Sequence, residues 1–131
     1  MNKLYLVWFD ENKKVLNQIG TLSYNNGKYI FVYDNQDKND LQLFSSFGLF
    51  PGFIDINQIY QSDVLFPTIQ SRLPSKNRED YLQLLREYKL DENSNDFEIL
   101  QSTKGKLSSD NFLFITPDEY NNLIENIRKE L

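Results

Sequence analysis

The stretch from Lys3 to Tyr33 restricts the fold more than any other part of the chain. It holds three β-prone runs, "KLYLVWF", "VLNQIGTLS" and "YIFVY", separated by the polar turns "DENKK" and "YNNGK". Side chains alternate along a strand, so Leu4, Leu6 and Trp8 share one side of the first run and Tyr5, Val7 and Phe9 the other. In the third run Tyr29, Phe31 and Tyr33 alternate with Ile30 and Val32. Both sides are apolar, so both must be covered. Asn and Gly tolerate positive φ, which makes "YNNG" a hairpin turn. Gly20 marks a bulge or a point of close approach. The expectation is a three-stranded meander, and a small twisted sheet closing on itself would cover both faces.

Beyond a polar connector, Asp34 to Asp40, comes "LFSSFGLFPGF". Phe44, Phe47, Phe50 and Phe53 recur every third residue, while Gly48, Pro51 and Gly52 exclude a long regular helix. Two outcomes compete. The aromatics fold back into the core, or they stay partly exposed as a patch for a partner. The second outcome makes Phe47, Phe50 and Phe53 partner-binding candidates.

Helical signals dominate the rest. Ser62 to Leu73 reads as a helix capped by Ser62 or Asp63, with Pro67 near its start and Pro74 as its stop. Asn77 to Leu90 carries the stripe Tyr81, Leu84, Leu85, Tyr88. Phe97, Ile99 and Leu100 belong to a short helix or turn ending near Gly105, and "FLFI" at 112–115 is a short buried strand. Thr116 to Glu119 is a capping box with proline at the first helical position. The helix it opens puts Tyr120, Leu123, Ile124, Ile127 and Leu131 on one side. The expected organisation is a single domain over 1–131, with 115–131 as an appended C-terminal helix.

Composition removes several chemistries. A chain of 131 residues has the size of one domain. It has no cysteine and no histidine, so disulfides, zinc–cysteine sites and any Ser-His or Cys-His mechanism are excluded. A net charge of −5 opposes non-specific nucleic-acid binding. The apolar run before Asp10 is too short for a signal peptide or a membrane span, so a cytoplasmic protein is expected. "DENSND" begins like a calcium loop, but Asp96 stands where glycine is needed and Ser102 where the bidentate glutamate is needed. "STKGKLSS" lacks the spacing of a phosphate-binding loop. Asp10 with Glu11 and Glu79 with Asp80 are sequence neighbours, whereas acid–base catalysis needs carboxyls converging from fixed positions. No cofactor, metal or catalytic residue is expected.

Trp8, the one tryptophan, fits a core position in a two-faced apolar strand, and it is also a favoured interface anchor. Arg72 and Arg78 lie either side of "LPSKN" and form a small basic cluster with its Lys76. Long basic side chains are mostly a solvated rim. Arginine also pairs well with carboxylate or phosphate, which adds Arg72 to the partner-binding candidates.

Three segments, in this order, resemble the N-terminal subdomain of HipA-type toxin kinases. "IGTLSYNNGKYIFVY" looks like that family's hairpin, "VLFPTIQSRLPS" like its helix ending in a Leu-Pro turn, and "DFEILQSTKG" followed by "FLFI" like its helix and closing strand. The match covers residues 3–115; the Phe44–Phe53 stretch replaces the family's middle strand. The resemblance implies an α+β fold, a small antiparallel, incompletely closed barrel-like sheet packed with several helices. The kinase's phosphate-binding loop and catalytic Asp motif do not occur in the chain. The likeness is therefore to HipS, the small component of HipB–HipS–HipT systems. It implies an antitoxin that binds and neutralises a separate HipT-type serine/threonine kinase encoded nearby, with a HipB-like DNA-binding protein as a further partner. The rival is a nucleic-acid-binding or regulatory module using Arg72, Lys76, Arg78, Lys104 and Lys106, which the acidic total disfavours. A small enzyme ranks third.

Overall fold

The expected meander is the centre of the fold. The structure, a computed structural model, describes residues 2–34 and 49–130. Strands β1 (Asn2–Asp10), β2 (Val15–Asn25) and β3 (Lys28–Tyr33) run antiparallel in sequence order. Asn25 pairs with Lys28, so the hairpin loop is Asn26 and Gly27, both at positive φ, 52° and 77°. That is the requirement of a type I′ turn, whose twist matches the strands it joins. Two further strands extend the sheet at both ends, β4 (Tyr60–Ser62) beside β3 and β5 (Phe112–Ile115) beside β1. The order is β4-β3-β2-β1-β5, and the sheet stays open. The class is α+β, as expected, but helices and loops rather than self-closure cover the faces.

Register assigns the faces. Leu4, Leu6, Leu22 and Phe31 share one side of the sheet and are fully buried. Helix α1 (Pro67–Gln70) brings Ile69 to this core, and helix α3 (Asp96–Thr103) brings Phe97 and Leu100. Tyr5, Val7 and Ile115 lie on the opposite side, where helix α4 (Pro117–Lys129) packs its Tyr120 edge to face on Tyr5 at 5.5 Å. The C-terminal helix is therefore docked across the sheet. Its capping box is formed as expected: the Thr116 hydroxyl accepts from Glu119 N–H, and the Glu119 carboxylate accepts from Thr116 N–H.

Two helices are shorter than their sequence signals. Ser62 to Leu73 splits into the end of β4 and the single turn of α1. Pro67 forbids the helical region to the residue before it, and Phe66 is extended at ψ 134°. Ser62 pairs with Tyr29 in the sheet instead of capping a helix. Asn77 to Leu90 reduces to α2 (Tyr81–Glu87): separate turns close before it, with Arg78 N–H on the Ser75 carbonyl and Tyr81 N–H on the Arg78 carbonyl, and Lys89 turns into the left-handed region at φ 61° after it. Of its stripe, Leu85 is buried while Tyr88 is 41% exposed. The stretch read as a failed calcium loop instead caps α3. Asn95 accepts from Glu98 N–H, and Glu98 accepts from Asn95 N–H.

Gly20 fulfils both expectations for it. Leu6 pairs with Gly20 and Val7 with Gln18, so Ile19 is the extra residue of a bulge. A Cβ on Gly20 would lie 2.5 Å from Phe31 Cζ and 2.8 Å from the Val32 carbonyl oxygen. Gly20→Ala is therefore expected to lower stability by roughly 1–3 kcal/mol through overpacking. Urea unfolding checks this, and an unchanged midpoint would contradict the close approach.

Candidate functional site

Phe50, Pro51, Gly52 and Phe53 form a tight turn. The Phe53 N–H donates to the Phe50 carbonyl at 3.0 Å, and Gly52 takes φ 91°. Proline at the second place and glycine at the third fit a type II turn. The first and last residues of the turn point the same way, into the core. Phe53 stacks on Phe31 with ring centroids 4.3 Å apart, and Phe50 meets Phe112 and Phe114 edge-on at 5.2 and 5.8 Å. The Tyr33 hydroxyl clamps the turn, donating to the Phe53 carbonyl at 2.5 Å and accepting from Phe50 N–H at 3.1 Å. Burial pushes the Tyr33 phenol up to about 12, so it keeps its proton for this bond. Phe50 is 1% exposed and Phe53 2%. The exposed-patch expectation is thus corrected for both: the turn folds them back among other aromatics. Phe44 and Phe47 lie outside the described residues.

Arg72 is also an internal residue, 7% exposed. Its guanidinium forms a fork–fork pair with Asp110, Nη1 to Oδ2 at 2.9 Å and Nη2 to Oδ1 at 2.7 Å. Nε donates to the Gly105 carbonyl at 2.8 Å and Nη2 to the Phe112 carbonyl at 3.1 Å. The Phe50 ring lies 5.5 Å from Cζ. Such saturation of a buried cation marks a tie between segments, not an anchor for a partner. The Arg72 hydrogen bonds hold the Asp110 carboxyl below its ordinary range, against the opposing effect of burial.

The rest of the basic cluster is largely partnered. Arg78 forms a bidentate pair with Asp80 at 2.9 Å for both bonds, and Lys104 Nζ meets Glu119 at 2.5 Å. Burial raises the Glu119 carboxyl, but the Lys104 ammonium and the Thr116 N–H and hydroxyl outweigh it and hold it low. Arg72, Arg78 and Lys104 are thus each tied to a carboxylate, which leaves Lys76 and Lys106 of the five basic residues as exposed cations. Trp8 takes a middle position, half-buried against the core and opposite Asn17 and Phe112.

The sequence reading overlooked the loop around β4. Five large apolar side chains stand exposed among the described residues, and three of them fall between 54 and 64: Ile54 at 82%, Ile59 at 63% and Val64 at 65%. Their backbone is held in place. The Tyr60 hydroxyl accepts from Asp55 N–H at 2.9 Å and donates to the Asp55 carbonyl at 3.3 Å, with the Tyr60 ring 4.7 Å from Phe53. Lys28 reaches across to Asp63 at 2.8 Å. These apolar residues border β4, the terminal strand of the sheet among the described residues. Exposed apolar side chains beside a terminal strand favour contact with another chain. The spacing of Ile54, Ile59 and Val64 matches neither strand nor helix period, so no pattern announces them.

Among the described residues there is no group of three or more Asp, Glu, His or Cys side chains placed to hold a metal ion. No helix there is long and apolar enough to cross a membrane. Compared with known proteins, the chain matches no family model, no curated protein and no solved structure.

Phe50→Ala is expected to cost about 3–5 kcal/mol of stability, the range for emptying an aromatic core site. Chemical denaturation measures it. A loss below about 1 kcal/mol would return Phe50 to the list of surface anchors.

Proposed function

We propose that this chain is an interaction domain of HipS type, an antitoxin that binds a separate HipA/HipT-type serine/threonine kinase and neutralises it by occluding or locking its N-terminal lobe. The observation that carries the reading is the exposed apolar border of Ile54, Ile59 and Val64 beside the terminal strand β4. It is the kind of surface that a detached subdomain needs for its complement. The three segments with the family's pattern add support from the sequence. They fall on the β2–β3 hairpin, on α1 with the Leu73-Pro74 turn, and on α3 with β5. We assign partner binding to the 54–64 border in place of Phe50, Phe53 and Arg72, which serve the core. The nucleic-acid alternative is weaker, since Arg72, Arg78 and Lys104 each have a carboxylate partner.

The test is co-expression with the kinase encoded beside this gene, reading growth rescue and co-elution in size-exclusion chromatography. The wild-type chain rescues growth and forms a complex burying at least about 1,200 Å² in total. Ile59→Asp leaves stability within about 0.5 kcal/mol, as for an exposed site, and weakens the complex by about 2 kcal/mol or more. Undiminished binding by this variant would displace the interface from the 54–64 border. Neither rescue nor complex with the wild-type chain would remove the antitoxin reading.

A further inference from the structure

A groove on the far side of Arg72 joins three stretches distant in sequence: the segment after α1 from Ser71 to Ser75, the side of α2 bearing Leu84 and Tyr88, and the loop 103–108 after α3. Its polar lining includes the hydroxyls of Ser71, Ser75, Tyr88, Thr103 and Ser108 and the exposed cations Arg78 and Lys106; the Ser71 hydroxyl already donates to the Thr68 carbonyl at 3.0 Å. Arg72 also borders it, with its charge already taken by Asp110. Among the described residues no carboxylate lines the groove, although acids outnumber bases 19 to 14 in the chain. A concave site with hydroxyls on Ser75, Thr103 and Ser108, two solvent-facing cations and no carboxylate in its lining matches a small oxyanion.

The size of the anion follows from the charges. Lys106, together with Arg78 once it is drawn from Asp80, matches one phosphate dianion, whereas a polyanion needs a longer row of cations and meets an acidic protein. Arg78 is held by Asp80 in an exposed pair, with side chains 50% and 51% accessible. Such pairs contribute little, so an incoming phosphate can compete for the guanidinium. Leu84, Tyr88 and Leu107 supply apolar walls beside the cations. They suit the carbon framework of a peptide more than bare inorganic phosphate. We propose that this groove binds a phosphorylated serine or threonine within a polypeptide. The inference stands independently of the kinase reading, because it uses neither the 54–64 border nor the family likeness.

The experiment is a titration of the isotopically labelled chain followed by backbone amide NMR. The probes are a short alanine peptide with one central phosphoserine, the same peptide unphosphorylated, inorganic phosphate, and a single-stranded oligothymidylate. The phosphopeptide is expected to give saturable shifts centred on Ser71, Ser75, Lys106 and Ser108, at lower concentration than inorganic phosphate, and the unphosphorylated peptide none. Lys106→Ala weakens this binding at least about fivefold, the loss of one charge-assisted contact. Asp80→Asn releases Arg78 and tightens it about threefold. Both positions are exposed, and shifts confined to the neighbourhood of each substitution confirm an intact fold. The proposal is overturned if these amides do not respond, if Lys106→Ala binds like the wild type, if inorganic phosphate binds as well as the phosphopeptide, or if the oligonucleotide binds more tightly.

Discussion

The Arg72 guanidinium is the tie on which the arrangement of the helical half depends. It gathers Asp110, the Gly105 carbonyl and the Phe112 carbonyl around one buried charge. This joins the end of α1 to the whole connection between α3 and β5. The connection itself is under tight steric control. Lys104 and Gly105 are both left-handed, at φ 63° and 58°, and a Cβ on Gly105 would sit 2.9 Å from Leu100 and 3.2 Å from Phe114. The Phe114 N–H donates to the Lys104 carbonyl at 2.9 Å, so the turn also supports β5. A buried charge is costly unless its hydrogen bonds are satisfied. Here they are satisfied by backbone that could not adopt this path with bulkier residues.

The aromatic core follows from the same logic of convergence. The Tyr33 hydroxyl fixes the Phe50–Phe53 turn from the end of β3, and the turn returns two phenylalanines to the sheet. Thr68 donates to the Pro51 carbonyl at 2.6 Å, fastening the outside of the turn to α1. Phe50 then lies between the Arg72 cation and the rings of Phe112 and Phe114. Hairpin, aromatic turn, α1 and β5 therefore meet at one place. A residue from each is needed to satisfy the others.

The sheet was legible because its signals are local. Alternation in β1 and β3, the Asn26-Gly27 turn and the role of Gly20 all follow from steric rules acting within a few residues. The same holds for the Thr116 capping box. The Asn95–Glu98 box was also local, but it is masked by a run of oxygens that resembles a metal loop. What the sequence did not reveal is long-range. Asp110, the partner of Arg72, lies thirty-eight residues away, and nothing near either residue announces the pairing. The burial of Phe50 and Phe53 depends on Tyr33 in the same way. Strand β4 is three residues long, too short for a period to emerge, and with it the apolar border at 54–64 stayed hidden. These are the same facts that move the candidate partner surface away from aromatics and arginine.

The most direct measurement of this account is a double-mutant cycle between Arg72→Met and Asp110→Asn, read by urea unfolding at neutral pH and again in acid. The account predicts a coupling of about 2 kcal/mol or more at neutral pH, as for a largely buried charge pair. Because the Asp110 pKa is depressed in the folded chain, its contribution is fully present above the unfolded value of about 3.9. The coupling should therefore disappear as pH falls through the lower native value. A cycle that closes to within about 0.3 kcal/mol at neutral pH, the additivity of independent sites, would contradict the tie at Arg72.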